Sequence, residues 1–99
     1  MASYTLTNKA VEDLSKIWSY TVEVWSETQA DKYYKMLCDS FQDLADGKVS
    51  GRNYIEILSD IFGFQIGKHL IFYRKLGENK IEIARILNNK MDLRHRLEE

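Results

Sequence analysis

The first half of the chain alternates hydrophobic and polar positions at helical spacing. Residues Ser3–Thr7 are mostly β-branched or aromatic, which predicts a short first strand, and Thr7 or Asn8 is placed to cap the helix that follows. The pattern predicts an amphipathic helix whose apolar stripe packs against the rest of the protein. The stripe consists of Val11, Leu14, Trp18, Thr21 and Trp25, widened by Ala10, Ile17 and Val24.

A second helix is predicted directly after the first. The run Ser26-Glu27-Thr28-Gln29 fits a capping box, and Gly47 is suited to a left-handed helix end. Two helices joined by so short a connection form an antiparallel hairpin. The apolar face predicted for the second helix is Ala30, Tyr33, Leu37, Phe41 and Leu44.

The second half of the chain changes to the alternation typical of strands. The clearest strands are His69–Leu76 and Lys80–Leu87, with turns at Gly67 and at Gly77-Glu78-Asn79. After a polar loop at Lys48–Asn53, a shorter strand is expected at Tyr54–Leu58 or at Ile61–Ile66. Within it, Gly63 indicates a bulge or a close backbone approach.

These elements predict a single α+β domain over residues 1–99. An N-terminal strand and an α-helical hairpin pack on an antiparallel β-meander, and a short charged helix is expected within Asn88–Glu99.

Two arginines interrupt the apolar rows of the predicted strands. Alternation places Arg74 on a face with Leu70, Phe72 and Leu76, and Arg85 on a face with Ile81, Ile83 and Leu87. An arginine in such a row is usually a structural ion-pair partner or a snorkelling residue at the sheet edge. The alternative is a cationic spot on the sheet that recognises a carboxylate or a phosphate.

Composition limits the classes of function. The formal net charge is −1, from 14 Lys and Arg against 15 Asp and Glu, so the overall balance does not favour nucleic-acid binding. The N-terminus does not resemble a signal peptide and no apolar run is long enough to span a bilayer, so a cytoplasmic location is expected.

The sequence carries no recognisable catalytic or metal-binding motif. His69, His95 and Cys38 lack the close spacing of metal ligands, so neither a metal nor a cofactor is expected. Cys38 is interpreted as a small buried hydrophobe, and no second cysteine is available for a disulfide. Tyr33 and Tyr34 are adjacent on a helix, so one of them is expected at the surface.

Several fragments, in order and spacing, closely resemble ParE-type toxins of the RelE/ParE superfamily. In the second half these are GKHLIFYR from Gly67, IEIARIL from Ile81 and KMDLRH from Lys90. In the first half, Asp13-Leu14 and Ile17-Trp18 of DLSKIWSYTVEVWSETQADKYYKMLCDSF stand at familiar places, as does Gln29-Ala30. The resemblance covers essentially the whole chain.

This resemblance implies a small toxin of a type II toxin–antitoxin system, of the kind associated with plasmid stabilisation. Such a toxin inhibits DNA gyrase by binding rather than by catalysis, and a ParD-like antitoxin neutralises it and supplies the contact with operator DNA. The residues expected to face gyrase are Arg85, Asn88, Met91, Asp92 and Arg94. Those expected to bind the antitoxin are Trp18, Trp25, Tyr34, Phe64, Tyr73 and Arg74.

Two other functions stay open. A RelE-like ribosome-dependent mRNA endoribonuclease would need acid and base groups near the end of the last strand. That stretch is Ile86-Leu87-Asn88-Asn89, which has no titratable side chain, and many ParE-like sequences carry a histidine about where Asn88 stands. The third possibility is a non-toxic partner that acts with its antitoxin as a co-repressor.

Overall fold

The computed structural model describes residues 2–54, 60–90 and 97. Within these residues, two helices and five strands follow one another, and a single sheet carries the helices on one face. The elements are β1 (Ser3–Leu6), α1 (Asn8–Val24), α2 (Glu27–Asp46), β2 (Arg52–Asn53), β3 (Phe62–Ile66), β4 (His69–Gly77) and β5 (Lys80–Asn88).

The helical hairpin begins and ends where its capping residues predict. The Thr7 side chain accepts a hydrogen bond from the Ala10 amide, and the Ser26 side chain accepts one from the Gln29 amide. Gly47 ends α2 with φ of 76°, the left-handed conformation that glycine adopts without steric cost. Local hydrogen bonding therefore sets these helix ends.

The face of α2 was predicted correctly, whereas the stripe of α1 was partly wrong. On α2, Leu37 and Phe41 are fully buried against the sheet. On α1 only Ala10, Asp13 and Leu14 are buried, while Val11 and Trp25 are exposed. The C-terminal end of α1 extends past the main core, so Val24 and Trp25 line a cleft instead of a packed interior.

The sheet has the strand order β1-β5-β4-β3-β2. Strands β2 to β5 form the predicted antiparallel meander, and β1 joins it in parallel beside β5. The sheet is buried on both faces. One face packs against the helices, and the reverse face forms a second cluster of Ile61, Leu70, Phe72, Ala84 and Leu87, against which Tyr54 and Leu97 pack.

A register shift in β5 corrects the predicted face of Leu87. Phe72 pairs with Arg85 while its neighbour Tyr73 pairs with Ile83, so Ala84 is the extra residue in β5. The shift reverses the alternation after Ala84. Leu87 consequently lies in the reverse-face cluster, whereas Ile81 and Ile83 lie in the helix-facing core, so the prediction that Leu87 shares a face with Ile81 and Ile83 was wrong.

Gly63 lies at a close approach, one of the two alternatives predicted for it. A Cβ atom there would come within 2.6 Å of the Tyr54 ring and 3.0 Å of the Phe72 ring. Because Gly63 has no side chain, Tyr54 can cover the reverse face. There its ring meets the Phe72 ring edge-on at a centroid distance of 5.3 Å.

Other strand limits differ slightly from those predicted. β1 ends at Leu6 because Thr7 caps the helix, and β5 continues to Asn88. The predicted loop at Lys48–Asn53 ends in a two-residue strand, β2, which pairs with β3. Of the two alternatives for the earlier strand, Ile61–Ile66 contains the observed β3, whereas most of Tyr54–Leu58 and most of the predicted C-terminal helix lie outside the described residues.

Candidate functional site

A cleft of about 670 Å³ lies between α1 and the ends of β4 and β5. It is called the basic cleft below, after its charged residues. One wall is the face of α1 made by residues three or four positions apart, and the other is built by the β3–β4 turn and the end of β5. The lining residues are Asp13, Lys16, Ile17, Tyr20, Val24, Trp25, Lys68, His69, Arg85, Ile86, Leu87, Asn88, Asn89 and Lys90.

Four cations and one carboxylate line the basic cleft. Lys16 comes from α1, Lys68 from the turn before β4, and Lys90 from just after β5. With Arg85 and Asp13 the lining carries a formal charge of +3, although the whole chain carries −1. The cleft is therefore a local concentration of positive charge.

Arg85 and Asp13 form a largely buried, bidentate ion pair at the bottom of the basic cleft. Arg85 donates from Nε to Asp13 Oδ2 at 2.8 Å and from Nη2 to Oδ1 at 3.1 Å. The Ile86 amide donates a third hydrogen bond to Asp13 Oδ2 at 3.0 Å. The structural-ion-pair interpretation of Arg85 is thus confirmed, and the pair ties α1 to β5.

His69 lies on the opposite wall, held by α2. Its Nδ1 is 2.6 Å from the Tyr33 hydroxyl, which also accepts a hydrogen bond from the Lys68 amide at 3.3 Å. The phenol donates its proton to Nδ1 when the neutral imidazole carries its own proton on Nε2. Burial lowers the pKa of His69, and burial likewise raises the pKa of Tyr33 against the opposite effect of the Lys68 amide. The His69 shift favours the neutral imidazole, and the Tyr33 shift favours the neutral phenol.

The turn beside His69 requires a glycine. Gly67 has φ of 57°, and a Cβ atom there would lie 2.7 Å from the Tyr33 hydroxyl. The tight turn brings the hydroxyl within reach of both Lys68 and His69.

A second depression of about 490 Å³ lies between the two helices. This helical groove is lined by Val11, Leu14, Ser15, Trp18, Asp31 and Tyr34. Trp18 donates from Nε1 to Asp31 Oδ1 at 3.1 Å, which fixes the indole across the groove. Tyr34 is 45% exposed, whereas Tyr33 is half-buried, so the prediction that one of the two tyrosines lies at the surface is confirmed.

Two of the residues expected to face gyrase lie within the described part of the chain. Arg85 and Asn88 both line the basic cleft, where the Asn88 side chain accepts a hydrogen bond from the Lys90 amide. Met91, Asp92 and Arg94 lie outside the described residues.

The residues expected to bind the antitoxin do not form one surface. Trp18 and Tyr34 share the helical groove, and Trp25 lies in the basic cleft. Tyr73 is 2% exposed, with its ring stacked on Phe62 in the core. The two others are Phe64, partly buried against the core, and Arg74, which pairs with Glu82 at 3.8 Å.

Sequence reasoning missed the lysines of the basic cleft. Lys16, Lys68 and Lys90 come from three separate elements, so no local motif joins them. The available signal was that the face of α1 containing Asp13, Ile17 and Tyr20 also carries Lys16, but the positions of the other two lysines depend on the sheet.

The described residues supply few groups for metal or thiol chemistry. Among them, no cluster of three His, Cys, Asp or Glu side chains could hold a metal ion. Cys38 is half-buried against the core, and burial raises the pKa of its thiol. This agrees with its interpretation as a packed hydrophobe. Nor is any helix in the described ranges long and apolar enough to cross a membrane.

The fold and the basic cleft define a small α+β protein with a charged cleft suited to binding another molecule. Comparison with known proteins gives the family. Residues 4–93 match the model of the ParE toxin of the type II toxin–antitoxin system parDE, and the chain therefore belongs to the ParE toxin family.

Individual relatives cover nearly the same length. The chain is 32% identical to Toxin ParE1 of Mycobacterium tuberculosis over 90 residues, which are 91% of this chain and 92% of that protein. It is 30% identical to Toxin ParE1 of Caulobacter vibrioides over 97 residues, 98% of this chain and 99% of that protein. A solved structure of the chromosomal ParDE toxin–antitoxin system from P. aeruginosa shares the fold, with a TM-score of 0.72 and 22% identity, covering 89% of this chain and 96% of that one.

Proposed function

We propose that this ParE-family toxin inhibits DNA gyrase and is neutralised by a ParD-like antitoxin. The observation that carries the proposal is the family match over residues 4–93. The basic cleft, lined by lysines and apolar side chains, supports it as a binding surface. Catalysis is not needed for this activity, because a poison of gyrase stabilises a state of its target by contact alone. Arg85 and Asn88 are the described residues through which the basic cleft would contact gyrase.

The direct test is a supercoiling assay with purified toxin and gyrase, ended with detergent and protease. Linear plasmid that accumulates with toxin dose is the expected result, because a trapped cleavage complex releases a double-strand break when the enzyme is digested. Undiminished supercoiling without linear DNA at high toxin excess would exclude gyrase from the tested source as the target.

Neutralisation is tested by co-expressing the toxin with a panel of ParD-type antitoxins. Growth arrest by the toxin alone, and recovery with one member of the panel, would identify the partner. Normal growth after verified expression of soluble toxin would instead support the non-toxic co-repressor.

One observation favours the ribonuclease alternative. Although the end of β5 has no titratable side chain, its neighbour across the ladder is His69, which pairs with Asn88 and lines the same cleft as three lysines. A neutral imidazole is a possible general base, but its unprotonated Nδ1 is held by the Tyr33 hydroxyl, so His69 would have to release Tyr33 before it accepts a proton. Primer extension on messages from toxin-expressing cells tests this, since cleavage that disappears in a His69→Gln variant would establish the ribonuclease.

A further inference from the structure

The bulge in β5 decides on which side of the sheet the end of this strand lies. Ile83 belongs to the helix-facing core, and after the extra residue Ala84 it is Ile86 that returns to that core. Leu87 then lies in the reverse-face cluster, and Asn88 lines the basic cleft. Uninterrupted alternation from Ile83 would instead put Asn88 on the reverse face. The extra residue therefore brings Asn88 into the basic cleft.

The bulge lies where β5 loses its neighbouring strand. β1 pairs with β5 only as far as Leu6, opposite Ile83. Within the described ranges, no strand pairs with this edge of β5 beyond that point. Ala84 and Ile86 are nevertheless buried, so their backbone polar groups need other hydrogen-bond partners.

Side chains from the beginning of the helical hairpin supply those partners. The Thr7 hydroxyl donates a hydrogen bond to the Ala84 carbonyl at 2.8 Å, across 77 positions of sequence. Asp13 Oδ2 accepts one from the Ile86 amide at 3.0 Å, across 73 positions. The Thr7 amide also donates to the Ile83 carbonyl at 3.0 Å. Thr7 and Asp13 thus hold the chain on both sides of the bulge in place of a strand.

We propose that Thr7 and Asp13 are positioning residues for the contact with gyrase. They hold the bulge at Ala84, and the bulge turns Asn88 into the basic cleft, as bulges beside functional sites commonly re-aim a side chain. Asp13 is 10% exposed and already accepts three hydrogen bonds, so it acts through β5. The inference rests on the proposed function, because it explains how the toxin presents a residue expected to contact gyrase.

Substitutions of Thr7 can separate its two roles. Its side chain also caps α1 by accepting a hydrogen bond from the Ala10 amide. Thr7→Asp keeps this acceptor but has no proton for the Ala84 carbonyl, whereas Thr7→Ser keeps both bonds. In the gyrase cleavage assay, Thr7→Asp is expected to need about tenfold more toxin for the same amount of linear plasmid, and Thr7→Ser to stay within about twofold of the wild type.

Two further variants serve as controls for the added charge and for folding. Ser26→Asp makes the same kind of change at the exposed cap of α2, and its potency should stay within about twofold of the wild type. Thr7→Gly removes the hydroxyl without adding a charge, and glycine is tolerated as a cap. It should lose potency as Thr7→Asp does, so the test does not depend on one variant. Circular dichroism checks that each variant is folded.

A double-mutant cycle distinguishes positioning from general structural support. Asn88→Ala is expected to lower potency about tenfold, because it removes the contact itself. If Thr7 acts by positioning Asn88, adding Thr7→Asp to Asn88→Ala should lower potency by no more than about twofold further. A further loss as large as that caused by Thr7→Asp in the wild type would show independent roles and overturn the proposal.

Hydrogen exchange measured by nuclear magnetic resonance tests the part assigned to Asp13. In a folded Asp13→Asn variant, the Ile86 amide should exchange about tenfold faster or more than in the wild type, because it loses a charged acceptor. The same variant should need more toxin for the same amount of linear plasmid. Unchanged exchange at Ile86 with unchanged potency would overturn the role of Asp13.

The cleavage assay separates this inference from the function on which it rests. If the wild type yields linear plasmid and the folded Thr7→Asp and Thr7→Gly variants are equally potent, the positioning role is overturned while the proposed function stands. Loss of potency in Thr7→Ser as large as in Thr7→Asp would also overturn it, since the hydroxyl would not be the operative group. If the wild type yields no linear plasmid, the proposed function fails and this inference fails with it.

Discussion

Asp13 on α1 and Arg85 on β5 are 72 positions apart in sequence and form a bidentate ion pair at 2.8 and 3.1 Å. Both side chains are nearly buried, with 10% and 13% exposure respectively. The pair joins the helix wall of the basic cleft to the strand wall at the point where the β5 register shifts. The shape of the cleft therefore depends on it.

We predict that Asp13→Asn lowers the free energy of unfolding by about 3 kcal/mol, because it removes the carboxylate that pairs with a mostly buried guanidinium. Urea denaturation at neutral pH measures the loss. The control is Asp39→Asn, which breaks the exposed pair with Lys35 and should cost less than about 0.5 kcal/mol. Equal effects of the two substitutions would show that the buried pair has no special structural role.

We predict that Gly63→Ala destabilises the protein by about 1–3 kcal/mol, since its Cβ would overlap the Tyr54 ring at 2.6 Å. The Tyr54 ring should be displaced from Phe72, which nuclear magnetic resonance would detect as changes in the aromatic proton shifts. Gln65→Ala, at an exposed position of the same strand, should change stability by no more than about 0.5 kcal/mol. A Gly63→Ala variant as stable as the wild type would show that Tyr54 moves aside freely.

We predict that stability falls as the pH decreases below about 6.5, through protonation of His69. Burial lowers the pKa of this histidine in the folded state, so the unfolded chain takes up the proton first. The stabilisation from the neutral imidazole is therefore complete above the unfolded-state pKa and is lost as the pH falls towards the folded-state pKa.

A His95→Asn background leaves His69 as the single histidine, so its titration can be followed by nuclear magnetic resonance. Urea denaturation between pH 7.5 and 5.5 should show a slope that His69→Asn removes. A measured pKa for folded His69 at or above 6.5 would contradict the prediction.

We predict that Tyr34→Ala weakens antitoxin binding by about 2 kcal/mol if the helical groove is a contact with the antitoxin. Tyr34 is 45% exposed, so the substitution should have little effect on the fold. The neighbouring Lys35→Ala variant, which changes an exposed residue outside the groove, serves as the control for calorimetric titration. Unchanged affinity in a folded Tyr34→Ala variant would remove this residue from the interface.

Much of the fold could be predicted because its signals are local. Thr7, Ser26 and Gly47 set helix ends through hydrogen bonds and backbone conformation within a few residues. Alternation likewise identified β4 and β5 and the turn between them. The family resemblance, carried by short fragments in fixed order, also needed no knowledge of spatial contacts.

The tertiary structure decided which of these residues meet. The helical stripe of α1 could not show that Val24 and Trp25 lie beyond the main core, because that depends on where the sheet ends. Nor could alternation reveal the extra residue Ala84, since a register shift is set by pairing with β4. The sequence alone therefore determined most of the elements, through short-range hydrogen bonds and periodicity, and the family, through short fragments in fixed order. The basic cleft arises only when long-range packing brings distant charged and apolar residues together.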